Sequence, residues 1–152
     1  NSDDAANFSG MDTLNHDIQV AIYFDVRCKV NQECIDSLEN ANIHQLDISG
    51  NQNLNLSIIK NLNIISFISG GEIDWNGLQE MPNLKKINIR SLNISDLTPV
   101  ASLKNIEELD ISNTNVTDLS PLKDMPNLKK LIAENCNIED WSPVSDIDEV
   151  IK

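Results

Sequence analysis

The chain has 152 residues, 40% of them apolar, and carries 24 Asp and Glu against 11 Lys and Arg, for a formal net charge of -13. That length suits one folded unit with a real core and leaves little room for two. The acidic balance repels polyanions, so no nucleic acid partner is expected. No apolar run reaches the roughly 18 to 20 residues of a bilayer helix, so no membrane insertion is expected either.

Residues 1–10 read as a disordered or extended tail. The tail opens at Asn1 without a basic-then-apolar leader, so an export signal is expected to have been removed or never to have belonged to this sequence. Met11, Leu14, Ile18, Ala21, Ile22 and Val26 then recur at helical spacing, and Asn31 to Leu38 reads as a second, capped helix. Together these predict a helical N-terminal cap over residues 11–42.

From residue 43 to 152 the chain repeats itself in about five units, the last incomplete. Met81, Leu103, Met125 and Ile147 are separated by equal steps of 22 residues, and the apolar positions fall into register across them. Leu84, Ile87 and Ile89 are matched by Ile106, Leu109 and Ile111 and then by Leu128, Leu131 and Ala133. The step of two inside each set marks one short strand per unit, where a helix would want steps of three and four throughout. Each unit then carries an Asp-Leu/Trp-Thr/Ser-Pro segment, at Asp96 to Pro99, Asp118 to Pro121 and Asp140 to Pro143. There Thr or Ser is expected to cap, and Pro to open, a short helix or tight turn. Two earlier units are degenerate: one holds Leu62, Ile65, Phe67, Trp75 and Leu78, and the first holds Ile43, Leu46, Ile48, Asn51 and Leu54. A unit this small cannot bury its apolar side alone, so neighbours must stack into a solenoid of parallel strands.

The phrases Leu109 to Ser112, Asn115 to Leu122 and Met125 to Leu131 resemble the 22-residue leucine-rich repeats of bacterial internalin-type surface proteins. The resemblance implies an α/β solenoid: a right-handed leucine-rich-repeat superhelix with short parallel strands on its concave face and a helical N-terminal cap. It also implies a secreted or cell-surface protein that binds a protein partner, in adhesion or host interaction. An intracellular regulatory subunit in the cytoplasm, or the recognition part of a larger effector enzyme, remain the alternatives. Asn51 keeps the family's buried Asn, whereas Leu92, Thr114 and Cys136 take that position later, so the Asn ladder is expected to be broken.

Catalysis has no support in the residues. His16 and His44 have no nearby set amounting to a triad. The absence of a CxxC pair argues against zinc, and no cofactor or metal is expected. The column Asp96, Asp118 and Asp140 has the composition of a turn, in which each carboxylate accepts nearby backbone N–H groups. Cys28 and Cys34 are either a cap disulfide or two reduced thiols, and Cys136 is expected to be a free, inert core thiol. Trp75 and Trp141 read as core or semi-buried packing residues. The sequons at Asn7, Asn55, Asn93 and Asn115 fit chance occurrence in an Asn-rich chain.

Alternation along the strands places one set of side chains outward on the concave face, the expected partner-binding site: Ile64, Ser66 and Ile68, then Lys86, Asn88 and Arg90, then Glu108, Asp110 and Ser112, then Lys130, Ile132 and Glu134, preceded by Gln45, Asp47 and Ser49. Lys86, Glu108 and Lys130 form a cross-strand row of alternating charge. Ile64, Ile68 and Ile132 are apolar where water is expected, which makes them contact candidates with Arg90 as a polar anchor. About fifteen outward residues fall short of the roughly 20 to 30 per side of a standard stable interface, so this segment alone is expected to bind weakly. Ile147, Val150 and Ile151 start another unit and no cap follows them. The expectation is therefore a piece cut from a longer protein, or an edge covered by a partner or, through self-association, by a second copy.

Overall fold

The computed structural model describes Val20–Tyr23, Ile43–Asp47, Ser66–Ile68, Ile73 and residues 75–152. The expected tail, both cap cysteines, His16, Asn51, Ile64, Ser49 and the sequons at Asn7 and Asn55 lie outside the described residues, as does most of the expected cap. The chain divides into two units, residues 1–83 and 84–152.

In the first unit, β1 (Val20–Tyr23) pairs in parallel with β2 (Ile43–Asp47), and β2 with β3 (Ser66–Ile68). Val20 to Tyr23 therefore form a strand where apolar spacing predicts a helix. Four residues, Val-Ala-Ile-Tyr, three of them β-branched or aromatic, follow β geometry as readily as helix geometry when a strand is available to pair with. A five-residue helix, α1 (Trp75–Gln79), follows and buries Leu78.

The second unit is a stack of coils. Its strands β4 (Lys86–Asn88), β5 (Glu108–Asp110), β6 (Lys130–Ile132) and β7 (Glu149–Ile151) are parallel and paired in sequence order. Ile87, Leu109, Leu131 and Val150 face one another in register, so the step-of-two pattern becomes a continuous apolar column. Ladder bonds continue past the strands: Ile89 N–H donates to the Asp110 carbonyl at 2.9 Å, Ile111 to Ile132 at 2.8 Å and Ala133 to Ile151 at 2.8 Å, and Ser91 and Asn113 donate to Ser112 and Glu134 at 2.8 and 2.9 Å. Leu84, Ile106 and Leu128, which start successive repeats, are all buried. Ile89, Leu109, Ile111, Val116 and Leu131 have no measurable exposure, because each coil covers the next.

A residue in the left-handed region follows β4, β5 and β6: Ser91, Asn113 and Asn135, at φ of 63°, 57° and 58°. Asn tolerates this conformation better than most side chains, which accounts for part of the Asn periodicity. Side-chain amides also connect coils, with Asn115 donating to Asn93 at 2.8 Å and Asn135 to Asn113 at 3.1 Å. The Asn93 and Asn115 sequons are thus part of a structural amide row.

The return segments are short 3-10 turns at Val100–Ser102, Ser120–Leu122 and Ser142–Val144. Thr and Ser are not their caps. Asp96, Asp118 and Asp140 instead accept the backbone N–H of Thr98, Ser120 and Ser142 at 2.8, 2.8 and 2.9 Å. These are Asx turns, and Pro then fixes the backbone that follows.

At the buried ladder position, Thr114 Oγ1 donates to the Ile111 carbonyl at 2.7 Å and lies 3.6 Å from Cys136 Sγ. Cys136 Sγ donates to the same carbonyl at 3.2 Å. Cys136 is free, as expected, but it is half-buried and hydrogen-bonded rather than fully buried in the core. A short hydroxyl and thiol ladder continues where Asn is missing, and half-buried Leu92 interrupts it on the other side.

Strand starts advance by 22 residues from Lys86 to Glu108 and Lys130, then by 19 to Glu149. The last step lacks a counterpart of Pro126 to Leu128. A cavity of about 330 Å³ is lined by Trp141, Val144, Ser145, Ile147, Val150 and Lys152. Trp141 is half-buried, and Lys152 Nζ sits 4.4 Å from its ring centroid.

Candidate functional site

In the second unit, the strands bring Lys86, Asn88, Glu108, Asp110, Lys130 and Ile132 onto one face in the expected register: Lys86 opposite Glu108 opposite Lys130, and Asn88 opposite Asp110 opposite Ile132. Glu149 and Ile151 extend the two rows on β7. Ser66 and Ile68 belong to β3 of the first unit, where Ile68 is half-buried.

The alternating row is ion-paired. Lys86 Nζ lies 3.0 Å from Glu108, and Lys130 Nζ lies 3.0 Å from Glu149. Lys130 thus pairs forward to β7, a partner the sequence row did not include. Arg90 reaches Glu134 two coils away at 3.5 Å. The expected polar anchor is therefore already engaged within the chain. All these side chains are substantially exposed, so each pair contributes about 0–1 kcal/mol and serves mainly to order the surface.

Two residues expected to face outward are buried. Ser112, at the position between Arg90 and Glu134, has no measurable exposure, and its Oγ has no hydrogen-bond partner among the described residues. Its small side chain leaves room for the long Arg90–Glu134 pair to close above it. Asp110 is 9% exposed, and its carboxylate accepts the Ser112 N–H at 2.9 Å. An unpaired buried hydroxyl costs about 1–3 kcal/mol. Ser112→Ala is therefore expected to raise unfolding stability by about 1 kcal/mol in urea titration, and a loss of stability would show that the hydroxyl is satisfied in solution.

A second charged row was not apparent in the sequence because it lies just outside the strands. Glu107 accepts Lys85 at 2.7 Å and Lys129 at 3.1 Å, one cation from each adjoining coil. Lys85 and then Lys129 hold the Glu107 carboxyl below its ordinary pKa. The Asx turns do the same elsewhere: the Thr98 hydroxyl and N–H lower Asp96, and the Ser142 N–H and hydroxyl lower Asp140. A depressed folded-state pKa adds stability that is present above the ordinary carboxylate range and is lost as pH falls through the folded value. The thermal midpoint is therefore expected to fall on acidification below that range. Glu107→Gln should flatten this acid limb, and an unchanged limb in the variant would remove Glu107 from the account.

Among the described residues, no three His, Cys, Asp or Glu side chains converge as a metal set, and no helix is long and apolar enough to cross a membrane. The strand face offers recognition chemistry: ordered charges beside half-exposed Ile132.

The comparisons agree with this geometry. Residues 104–146 match the family of leucine-rich repeats, in two copies. No curated protein sequence matches the chain. Among solved structures, internalin C2 from Listeria monocytogenes is similar at a TM-score of 0.61 and 25% identity, with 79% of this chain and 67% of that one covered. An internalin (InlF) of the same organism gives 0.55 at 22% identity, covering 78% of this chain and 42% of that one. The functional domain of InlJ from Listeria monocytogenes, which includes a cysteine ladder, gives 0.53 at 17% identity, covering 86% and 29%. The chain thus spans 67%, 42% and 29% of these three structures. Repeat register, parallel strands and these likenesses converge on an internalin-like leucine-rich-repeat solenoid fold.

Proposed function

We propose that this chain is the non-catalytic recognition module of a secreted or bacterial surface protein, and that it binds a protein partner through the outward strand face in adhesion or host interaction. The observation that carries the reading is the ordered strand face of the second unit. Lys86–Glu108, Lys130–Glu149 and Arg90–Glu134 fix its charged side chains before any partner arrives, which lowers the entropy lost on docking. Asn88, Asp110 and Ile132 lie between those pairs, and Ile64, Ser66 and Ile68 supply the contacts proposed for the first unit. The resemblance to internalin-type surface repeats supports the compartment.

The test is photo-cross-linking of the full chain from a label at Asn88 or Lys130, with a label on the return turn at Lys123 as control. Transfer to one common protein from both strand positions and not from Lys123 is expected. Transfer mainly from Lys123 would move the site to the turns. Mass measurement with and without reductant addresses compartment: free thiols at Cys28 and Cys34 in freshly exported material would count against the secreted reading.

A further inference from the structure

On the strand face of the second unit, Lys86, Arg90 and Lys130 are each matched by a carboxylate, Glu108, Glu134 and Glu149. Asp110 is not matched: among the described residues no cation lies within ion-pair distance of it, although it is 91% buried by its 9% exposure. A buried carboxylate with one neutral hydrogen bond is costly, and its turn function does not need the charge. Asn88, at the same place one coil earlier, accepts the Arg90 N–H at 3.0 Å with a neutral amide, as Asp110 accepts the Ser112 N–H at 2.9 Å. The negative charge is therefore surplus to the fold. In register beside it stand Ile132 and then Ile151, both half-buried, so a carboxylate and an apolar step lie side by side at strand spacing, about 4.8 Å per strand.

We propose that Asp110 with Ile132 and Ile151 is the seat for a cationic side chain, arginine or lysine, of the protein partner. The charged head pairs with Asp110, and the aliphatic stem lies across the two isoleucines. The inference rests on the strand-face reading above and assigns the chemistry of its centre. Charge complementarity selects the occupant: the three surrounding ion pairs are internally neutral, so the residual charge of this patch is the single negative charge of Asp110.

The test is an NMR titration of the 15N-labelled full chain with acetyl-Leu-Arg-Leu-amide, and with the same peptide carrying citrulline, a neutral isostere of arginine. The expected result is shifts centred on the amides of Asp110, Ile132 and Ile151, with at least tenfold weaker binding of the citrulline peptide. Asp110→Asn, which keeps the turn acceptor as Asn88 does, should weaken the arginine peptide at least tenfold while leaving the circular dichroism unchanged and the unfolding midpoint no lower. Equal binding of both peptides, equal binding by the variant, or no shift at the three amides overturns the proposal. Shifts on the strand face that ignore peptide charge would do so while leaving the strand-face reading intact. Shifts confined to the return turns would remove both.

Discussion

Leu109→Ala is expected to destabilise the second unit by about 2–5 kcal/mol, the range for truncating a fully buried leucine. Leu109 has no measurable exposure and sits at the centre of β5, with Ile87 and Leu131 as its register partners on either side. The hole it leaves opens between two coils whose backbones are held apart by ladder hydrogen bonds, so the neighbours cannot collapse into it freely. In a stack where each coil touches only its neighbours, the loss falls on both interfaces of that coil. Against a typical domain stability of about 5–15 kcal/mol, this is a large fraction. Urea titration at neutral pH measures it. Lys86→Ala is the control, because its ion pair joins side chains 53% and 32% exposed and should contribute no more than about 1 kcal/mol. Equal losses in the two variants would mean that the apolar column does not hold the coils together.

The fold of the second unit was legible because its signal is repeated. Ile87, Leu109 and Leu131 recur at one spacing, and a one-residue slip would turn every one of them to the other side, so periodicity alone fixes the register. The same logic placed Lys86 opposite Glu108 and Lys130, and it read the Asp96, Asp118 and Asp140 column as turns. What alternation could not show is depth. Asp110 and Ser112 have outward parity, yet they are buried because neighbouring coils crowd them and Arg90 and Glu134 pair around Ser112. Parity reports a side of the sheet, whereas exposure depends on the residues one coil away. Val20 to Tyr23 failed for a different reason: a short apolar run carries no decisive period, and pairing with β2 settles it. The shortened step to Glu149 was not read from the sequence, because it falls after Ile147 and leaves the preceding 22-residue spacing intact.

Asn113→Val is expected to cost about 1–3 kcal/mol, whereas Asn113→Gly and Asn113→Asp should stay within about 1 kcal/mol of the unsubstituted chain. At φ of 57° the backbone lies in the left-handed region, where a β-branched side chain clashes with its own carbonyl and Gly and Asp do not. The side chain also accepts Asn135 Nδ2 at 3.1 Å, a bond that Asp can keep and Gly loses, which orders the three variants by mechanism. The residue is anchored by its own N–H to the Glu134 carbonyl at 2.9 Å, so it cannot relax by rotating out of place. Arg90 immediately precedes left-handed Ser91, and Glu134 immediately precedes left-handed Asn135. The same turns that stop the strands therefore aim the Arg90–Glu134 pair across the face. Asn135→Val should accordingly lose both stability and the pair, which NMR reads as a change in the Arg90 guanidinium signals. Loss of stability with those signals unchanged would separate the turn from the recognition surface it is argued to orient.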